Sequence, residues 1–415
     1  MYLNNYQFQI RKETFTLVLL FLFSAAIRIP VILITGDTSL ENEWGILVNN
    51  LTSHGTLSFN FYNASLEDFL FPSIFMPPLY AYYLYFFSFF NLDDQHYIQL
   101  ILSTQIILSS LSIVIFYKIN KIFFSQRLSF YSSLLFSVIP IHLYACSQIS
   151  SITLQTFFII SFLYLFFKFI EKNNFSSIIY LSISSGLLLL LRGEFIAIFL
   201  LTMFFSLFFF KISLKKIILI IVITLITVSP YLVRNIIVLE KVTITKSFGY
   251  NLWKGNNPNA TVEGYAEINS GLKQKINLIP KNKYYGINFD NIFLDEAKKN
   301  ITQDPKKYFN LFFKKFLSFL FIDLNSSDPN YYNPLHYLPI LLLGITSLVG
   351  IVLSDKRSNK INYLIIVFFV TIIIFSCFFI LPRYKLAIIP LQIIFTNILI
   401  KYLGKKFFSH NEQRS

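Results

Sequence analysis

Only two cysteines occur in 415 residues, Cys146 and Cys377, and they stand far apart. That excludes a thiol-based metal site and a disulfide framework. The five histidines (His54, His96, His142, His336 and His410) do not cluster, and no pair has ligand spacing, so no zinc site is expected. Neither G-x-x-x-x-G-K-[ST] nor G-x-G-x-x-G following a strand is present, which removes the nucleotide-binding classes. No internal repeat of the kind common in transporters is found. Charged residues make up only 13% of the chain, too few for a soluble domain.

What is abundant is apolar. The chain is 55% hydrophobic, with 49 Phe and 25 Tyr, and its mean hydropathy is +0.59. This composition belongs to a polytopic membrane protein. Richness in Phe, Ile, Asn and Lys fits an AT-rich genome, so the Asn-x-Ser/Thr sequons at Asn50, Asn63, Asn259, Asn300 and Asn325 carry little weight. On a soluble protein the net charge of +14 would suggest a nucleic-acid partner. Here the basic residues gather at span ends, which fits topology signals and contact with membrane lipids, and no nucleic acid is expected.

Ten runs meet or approach the roughly 20 apolar residues that a bilayer crossing needs: Thr14–Thr35, Tyr97–Tyr117, Leu128–Cys146, Ser151–Ile170, Phe175–Leu191, Phe195–Phe210, Ile217–Val233, Tyr337–Leu353, Ile361–Leu381 and Tyr384–Tyr402. With the N-terminus in the cytoplasm, 16 basic residues fall in the inner segments, from Arg11 and Lys12 to Lys405 and Lys406. Three, Arg192, Arg383 and Lys385, fall in the short outer turns. That bias orients both termini toward the cytoplasm. The apolar N-terminal run has no small-x-small cleavage site and reads as a retained span.

The expected fold class is therefore all-α integral membrane, with about 10–11 transmembrane helices and juxtamembrane helices on the outer face. Residues 1–233 form an N-terminal transmembrane module that includes the outer loop 36–96. Residues 234–336 form a second outer region, and 337–415 the C-terminal helices and a short tail. Pro77–Leu92 opens on Pro-Pro, is rich in aromatics and is too short to span, so it reads as an interfacial or re-entrant helix. Asp304-Pro305 reads as a helix start, a cap followed by Pro at the first position. In the helix it begins, Phe309, Phe312, Phe316 and Leu320 recur at helical spacing, which suits a lipid surface. Whether 305–321 is interfacial or re-entrant stays open.

Chemistry is expected in the outer segments. The loop Thr35–Tyr80 holds Asp37, Glu41 and Glu43 on short spacing, and carboxylates beside a membrane are costly unless solvated, paired or used. On a helix starting near Leu40, Glu43 shares a face with Leu47 and Asn50 while Glu41 points elsewhere, and Asp37 or Thr38 could cap it. As an ordinary alternative, Glu41 and Glu43 are first-turn carboxylates favoured by the helix dipole. Arg192 with Glu194, Arg234 with Asn235, and Arg383-Tyr384-Lys385 fall at the same depth, as does Arg28. The simple reading pairs Arg192 with Glu194 and lets the others reach headgroups. As a set, outward arginines oppose the topology preference, and convergence on one anionic ligand explains them. His54, in the same loop as Glu43, is a further pocket candidate.

Several short motifs run in order along nearly the whole chain: Glu43-Trp44-Gly45 with Gly55, Met76-Pro77-Pro78-Leu79-Tyr80, Leu191-Arg192-Gly193-Glu194, Ser229-Pro230-Tyr231 through Arg234-Asn235, Gly249-Tyr250-Asn251 through Gly255-Asn256-Asn257-Pro258, Asp304-Pro305, and Arg383-Tyr384-Lys385. In these the chain resembles the GT-C superfamily of polytopic glycosyltransferases. The likeness is to bacterial members similar to dolichyl-phosphate-mannose–protein mannosyltransferases and aminoarabinose transferases (family 39-like).

The resemblance implies inverting transfer of a sugar from a polyprenyl-phosphate donor, on the outer face of a bacterial inner membrane, to a glycan, lipid or protein acceptor. Carried over by position, the catalytic base falls on Glu43. Where relatives have an Asp-Glu pair this chain has Leu40-Glu41, which makes Glu41 the fallback. The acidic residue often seen early in the fourth span is Gln155 here. Arg192, Arg234, Arg383 and Lys385 are the expected phosphate ligands; Asp37, His54, Tyr80, Glu194, Asn235 and Tyr384 are the expected pocket. No redox cofactor is expected, and a divalent cation is compatible although no ligand set demands one. Competing readings are a non-catalytic lipid-linked sugar flippase or transporter, and a ligase or polymerase of lipid-linked glycans. The identity of sugar and acceptor is not legible.

Overall fold

A computed structural model describes residues 2–59, 71–323, 325–326, 333–355 and 357–412; the side chains of 2–11 and 407–412 are not described. The sequon at Asn63, residues 60–70 of the first loop, residues 327–332 of the second and Lys356 lie outside them. Among the described residues there is no strand.

The helices are α1 (Tyr2–Thr35), α2 (Glu43–His54), α3 (Pro78–Ser88), α4 (Asp94–Asn120), α5 (Gln126–Val138), α6 (Pro140–Ser147), α7 (Ile152–Lys172), α8 (Phe175–Leu191), α9 (Ile196–Phe208), α10 (Leu214–Leu239), α11 (Phe248–Gly255), α12 (Ser270–Asn277), α13 (Tyr285–Gln303), α14 (Pro305–Leu320), α15 (Pro334–Val352), α16 (Asn359–Ser376) and α17 (Ile389–Glu412).

Six of these, α1 from Lys12, α4, α7, α10, α15 and α16, are long and apolar enough to cross a membrane. Among the described residues the pair α5–α6, bent by 53°, passes the same test only when taken together, as a broken span or a re-entrant loop. Pro140 causes the bend, since it removes a backbone donor and its ring cannot follow a helix interior. The run from α8 to α9 is broken by a 3-10 turn, Gly193–Phe195. The protein is a multi-pass membrane protein of all-α class. The last run differs from expectation at its start. Pro382–Ala387 forms a 3-10 turn, and the helix begins at Ile389. Arg383, Tyr384 and Lys385 therefore sit on a turn ahead of the helix.

The bundle packs α1 on α4, α4 on α7, α7 on α8, α8 on α10 and α15 on α17. Its core is built from Phe116, Phe136, Phe166, Phe167 and Tyr363, all fully buried. Arg28 belongs to this interior and does not sit with the other arginines. Its Nε donates to Ser109 Oγ at 2.7 Å, its Nη1 to Ser24 Oγ at 2.6 Å, and Nη2 lies 3.2 Å from His142 Nδ1. A guanidinium inside a bundle persists only when its donors are matched in this way.

In the segment after α10, α11 packs on α13, and α14 packs on α16. Asp304 caps α14 by accepting from the Lys307 amide at 3.0 Å, with Pro305 following it. The buried face of α14, however, is Tyr308, Leu311, Lys315, Ser318 and Phe319, while Phe309 is 68% exposed. Of the stripe expected to face lipid, Phe309 is exposed whereas Leu320 is buried, as is Lys315.

Candidate active site

The site is assembled where α2, α11, the turn before α9 and the turn before α17 meet. Helix α2 starts at Glu43, later than the sequence suggests. Its cap is Asn42, whose Oδ1 accepts from the Trp44 and Gly45 amides at 3.0 and 3.3 Å. Asp37 has another task. Its Oδ2 accepts from the Ile149 amide at 2.6 Å, and its own amide donates to Ser147 O at 3.0 Å. It pins the loop after α1 to the α6–α7 junction. Gly45 permits the tight entry, since a Cβ there would stand 1.8 Å from Leu40 O.

Behind α2, the buried Trp44 meets Tyr80 edge-on at 4.8 Å. Tyr80 is fully buried and donates to Gln105 Oε1 at 3.2 Å; Gln105 Nε2 in turn donates to Cys146 O and Gln148 O. Tyr80 therefore supports the loop from below. Glu43 and Glu41 are exposed, and so is His54. His54 ends α2, roughly 16 Å along the axis from Glu43 at 1.5 Å per residue, so it is not brought to the same place.

The arginines divide into two groups. Arg192 Nε donates to Gln155 Oε1 at 2.7 Å, and its Nη1 lies 3.4 Å from Glu194 Oε1. Its guanidinium lies 5.2 Å from the centre of the Tyr384 ring, and that of Arg383 lies 5.9 Å from the same ring. Tyr384 packs on Phe379 at 6.0 Å, and Lys254 Nζ stands 4.4 Å over the Phe379 ring. Arg192, Arg383 and Lys254 thus surround two adjoining aromatic rings. Burial and then Arg383 pull the Lys254 ammonium below the ordinary lysine range, while Glu43 acts in the opposite sense. The base candidate therefore lies within the field of this cluster. Among the described residues, neither Arg383 nor Lys254 reaches a carboxylate at ion-pair distance.

Arg234 is engaged elsewhere. Its Nη1 donates to Asn235 Oδ1 at 2.8 Å and to Ser73 O at 3.5 Å, and its Nη2 to Leu57 O at 3.4 Å. Asn235, fully buried, donates to Thr243 O at 2.6 Å. Together they tie both limbs of the first loop to the end of α10. Lys385 is buried as well, and its Nζ donates to Ser318 O and Phe321 O. It faces a small open pocket that Glu263, Asp323 and His336 also line.

Lys254 was not among the residues singled out from sequence. It lies beside Gly255, whose Cβ would come 1.9 Å from Phe378 O. That close approach seats α11 on the 377–380 loop. Lys315 secures the seat by donating to Gly255 O at 2.6 Å and Asn256 Oδ1 at 3.3 Å. Lys315 and Lys385 each meet two acceptors, the number a neutral amine can satisfy, and burial lowers both to about 7.

In the unfolded chain both lysines stay protonated up to about 10.5. Between these values the unfolded state binds more protons, so stability rises with pH through the window and levels off below it. The melting temperature in detergent is expected to climb from about pH 7 to about pH 9, and to climb less in Lys315→Met and Lys385→Met. A wild-type profile that is flat over this range would mean that the two groups keep ordinary lysine behaviour.

Among the described residues no group of three His, Cys, Asp or Glu could hold a metal ion. Around Arg192 the oxygen donors are the Gln155 amide and the Glu194 carboxylate, both facing the guanidinium. What the arrangement offers is positive charge and N–H donors opposite one exposed carboxylate.

Residues 76–233 match the family model described as Dolichyl-phosphate-mannose-protein mannosyltransferase. No curated protein matches the chain. Among solved structures, the oligosaccharyltransferase AglB from Archaeoglobus fulgidus, in complex with an inhibitory peptide and a dolichol-phosphate, is similar at TM-score 0.54 and 14% identity, over 96% of this chain and 51% of that one. The oligosaccharyltransferase of the same organism in complex with Zn and sulfate is similar at TM-score 0.52 and 13% identity, over 94% and 49%. ArnT from Cupriavidus metallidurans bound to undecaprenyl phosphate reaches TM-score 0.42 at 10% identity, over 90% and 77%, a likeness too weak to argue from. The chain spans about half the length of the archaeal protein it matches. Its fold is of GT-C type, and the family model falls on the part of the chain that holds the motifs Met76–Tyr80 and Leu191–Glu194.

Proposed function

We propose that this protein transfers a sugar from a polyprenyl-phosphate donor to an acceptor at the non-cytoplasmic face of a bacterial inner membrane, with both termini in the cytoplasm. The observation that carries this reading is the cationic cluster of Arg192, Arg383 and Lys254. Two of its members lack an ion-pair partner among the described residues, and Glu43 stands within its field. An uncompensated cluster of this kind suits an anion that arrives from outside the protein, and a lipid phosphate enters from the bilayer. The neighbour AglB, seen with a dolichol-phosphate, supports the donor class.

In the proposed reaction an acceptor hydroxyl attacks the anomeric carbon and gives its proton to Glu43. The bond between that carbon and the phosphate oxygen breaks, and the lipid phosphate leaves with the electron pair. Arg192, Arg383 and Lys254 stabilise the charge that grows on it. A single displacement inverts the anomeric centre. Arg234 with Asn235 and Asp37 hold the loop that presents Glu43, and Lys385 holds the turn that presents Arg383 and Tyr384.

The test is transfer in proteoliposomes supplied with a panel of polyprenyl-phosphate sugars. Wild type is expected to consume at least one of them, and Arg383→Ala to lose about 10²-fold or more in kcat/KM, the range for removing one preorganised donor. Arg383→Ala turning over at the wild-type rate would remove the phosphate clamp from the reading.

A further inference from the structure

Gln155 lies in the first turn of α7 and is fully buried. Its Oε1 accepts from Arg192 Nε at 2.7 Å. A guanidinium can only donate, so the amide atom facing it must be oxygen, which settles the orientation of the group. Gln155 Nε2 is the remaining donor of that amide, on the same carbon as the oxygen that meets Arg192. It has no hydrogen-bond partner among the described residues. A buried donor without an acceptor is costly, and methionine would fill the same space without that cost. A carboxylate at this position would be a second one on Arg192, beside Glu194 at 3.4 Å. Glutamine orients Arg192 without adding that negative charge.

We infer that Gln155 is a substrate-binding residue whose Nε2 donates to an oxygen of the donor's lipid phosphate once that group enters beside Arg192. The acceptor is assigned to a phosphate because the guanidinium that fixes Gln155 also faces Tyr384, with Arg383 at the same ring. Groups that donate N–H bonds and carry positive charge select an oxyanion. A neutral amide beside the arginine adds a directed bond, and so fixes how the phosphate sits. This inference rests on the proposed function, and the experiment separates the two.

The protein is purified in detergent and titrated with decaprenyl phosphate and, as an uncharged control, decaprenol. Wild type is expected to prefer the phosphate. Gln155→Glu keeps size and shape, pairs with Arg192 and presents negative charge; it is expected to bind the phosphate at least about tenfold more weakly. Gln155→Met fills the site without donor or charge, and a roughly three- to tenfold loss is expected. Both should bind decaprenol as wild type does. Two variants that bind the phosphate within about twofold of wild type would overturn the assignment and leave the proposed function standing. Equal losses for phosphate and decaprenol would also overturn it, since they indicate general damage to the lipid site. A wild-type protein with no preference for the phosphate would end both readings together.

Discussion

Glu43→Gln is expected to lower kcat about 10²- to 10⁴-fold, the contribution of a positioned general base, with donor binding unchanged. The substitution keeps the size of the side chain. The cap of α2 belongs to Asn42, so the helix start survives. Glu43 is exposed, and its loss leaves no buried group unpaired. Asp37→Asn is the comparison that gives the result meaning. An asparagine oxygen can still accept the Ile149 amide, so the loop should keep its anchor. If Asp37→Asn abolishes turnover while Glu43→Gln retains it, the base is Asp37 and the electrostatic link between Glu43 and Lys254 is incidental.

The sequence reveals this fold wherever a single residue imposes a local rule. Apolar runs mark the spans, Asp304-Pro305 marks the start of α14, and Pro140 accounts for the bend between α5 and α6. The site is legible only in part, since the chemistry of a cation does not say what it touches. Arg192, Arg234, Arg383 and Lys385 read alike as charge in outer turns. In the fold Arg192 and Arg383 share the ring of Tyr384, whereas Arg234 satisfies loop carbonyls and Lys385 satisfies the end of α14. Satisfying backbone carbonyls is a long-range matter that no spacing encodes. Lys254 is hidden for the converse reason. Nothing in Trp253-Lys254-Gly255 distinguishes it from a solvated lysine; only the close approach of Gly255 to Phe378 O brings it over Phe379. The buried side of α14 is hidden in the same way. Lys315 reads as a surface residue until its two acceptors are known.

Arg192→Lys separates a geometric role from a merely charged one. The arginine does three things at once: it gives Nε–H to Gln155, brings Nη1 to Glu194, and lies against Tyr384. A lysine has one nitrogen on a flexible stem and cannot meet all three. The charge is kept, so a site that needs only positive potential should tolerate the exchange. A site that needs a fixed donor array should not, and kcat/KM is expected to fall about 10²- to 10³-fold, most of it in kcat. Arg234→Lys is the matched control. Its contacts are to Leu57 O, Ser73 O and Asn235, so its loss should lower the melting temperature with a smaller effect on kcat. If Arg192→Lys turns over normally while Arg234→Lys is inactive and well folded, the phosphate lies at the end of α10, and the cluster around Tyr384 and Phe379 is a structural joint.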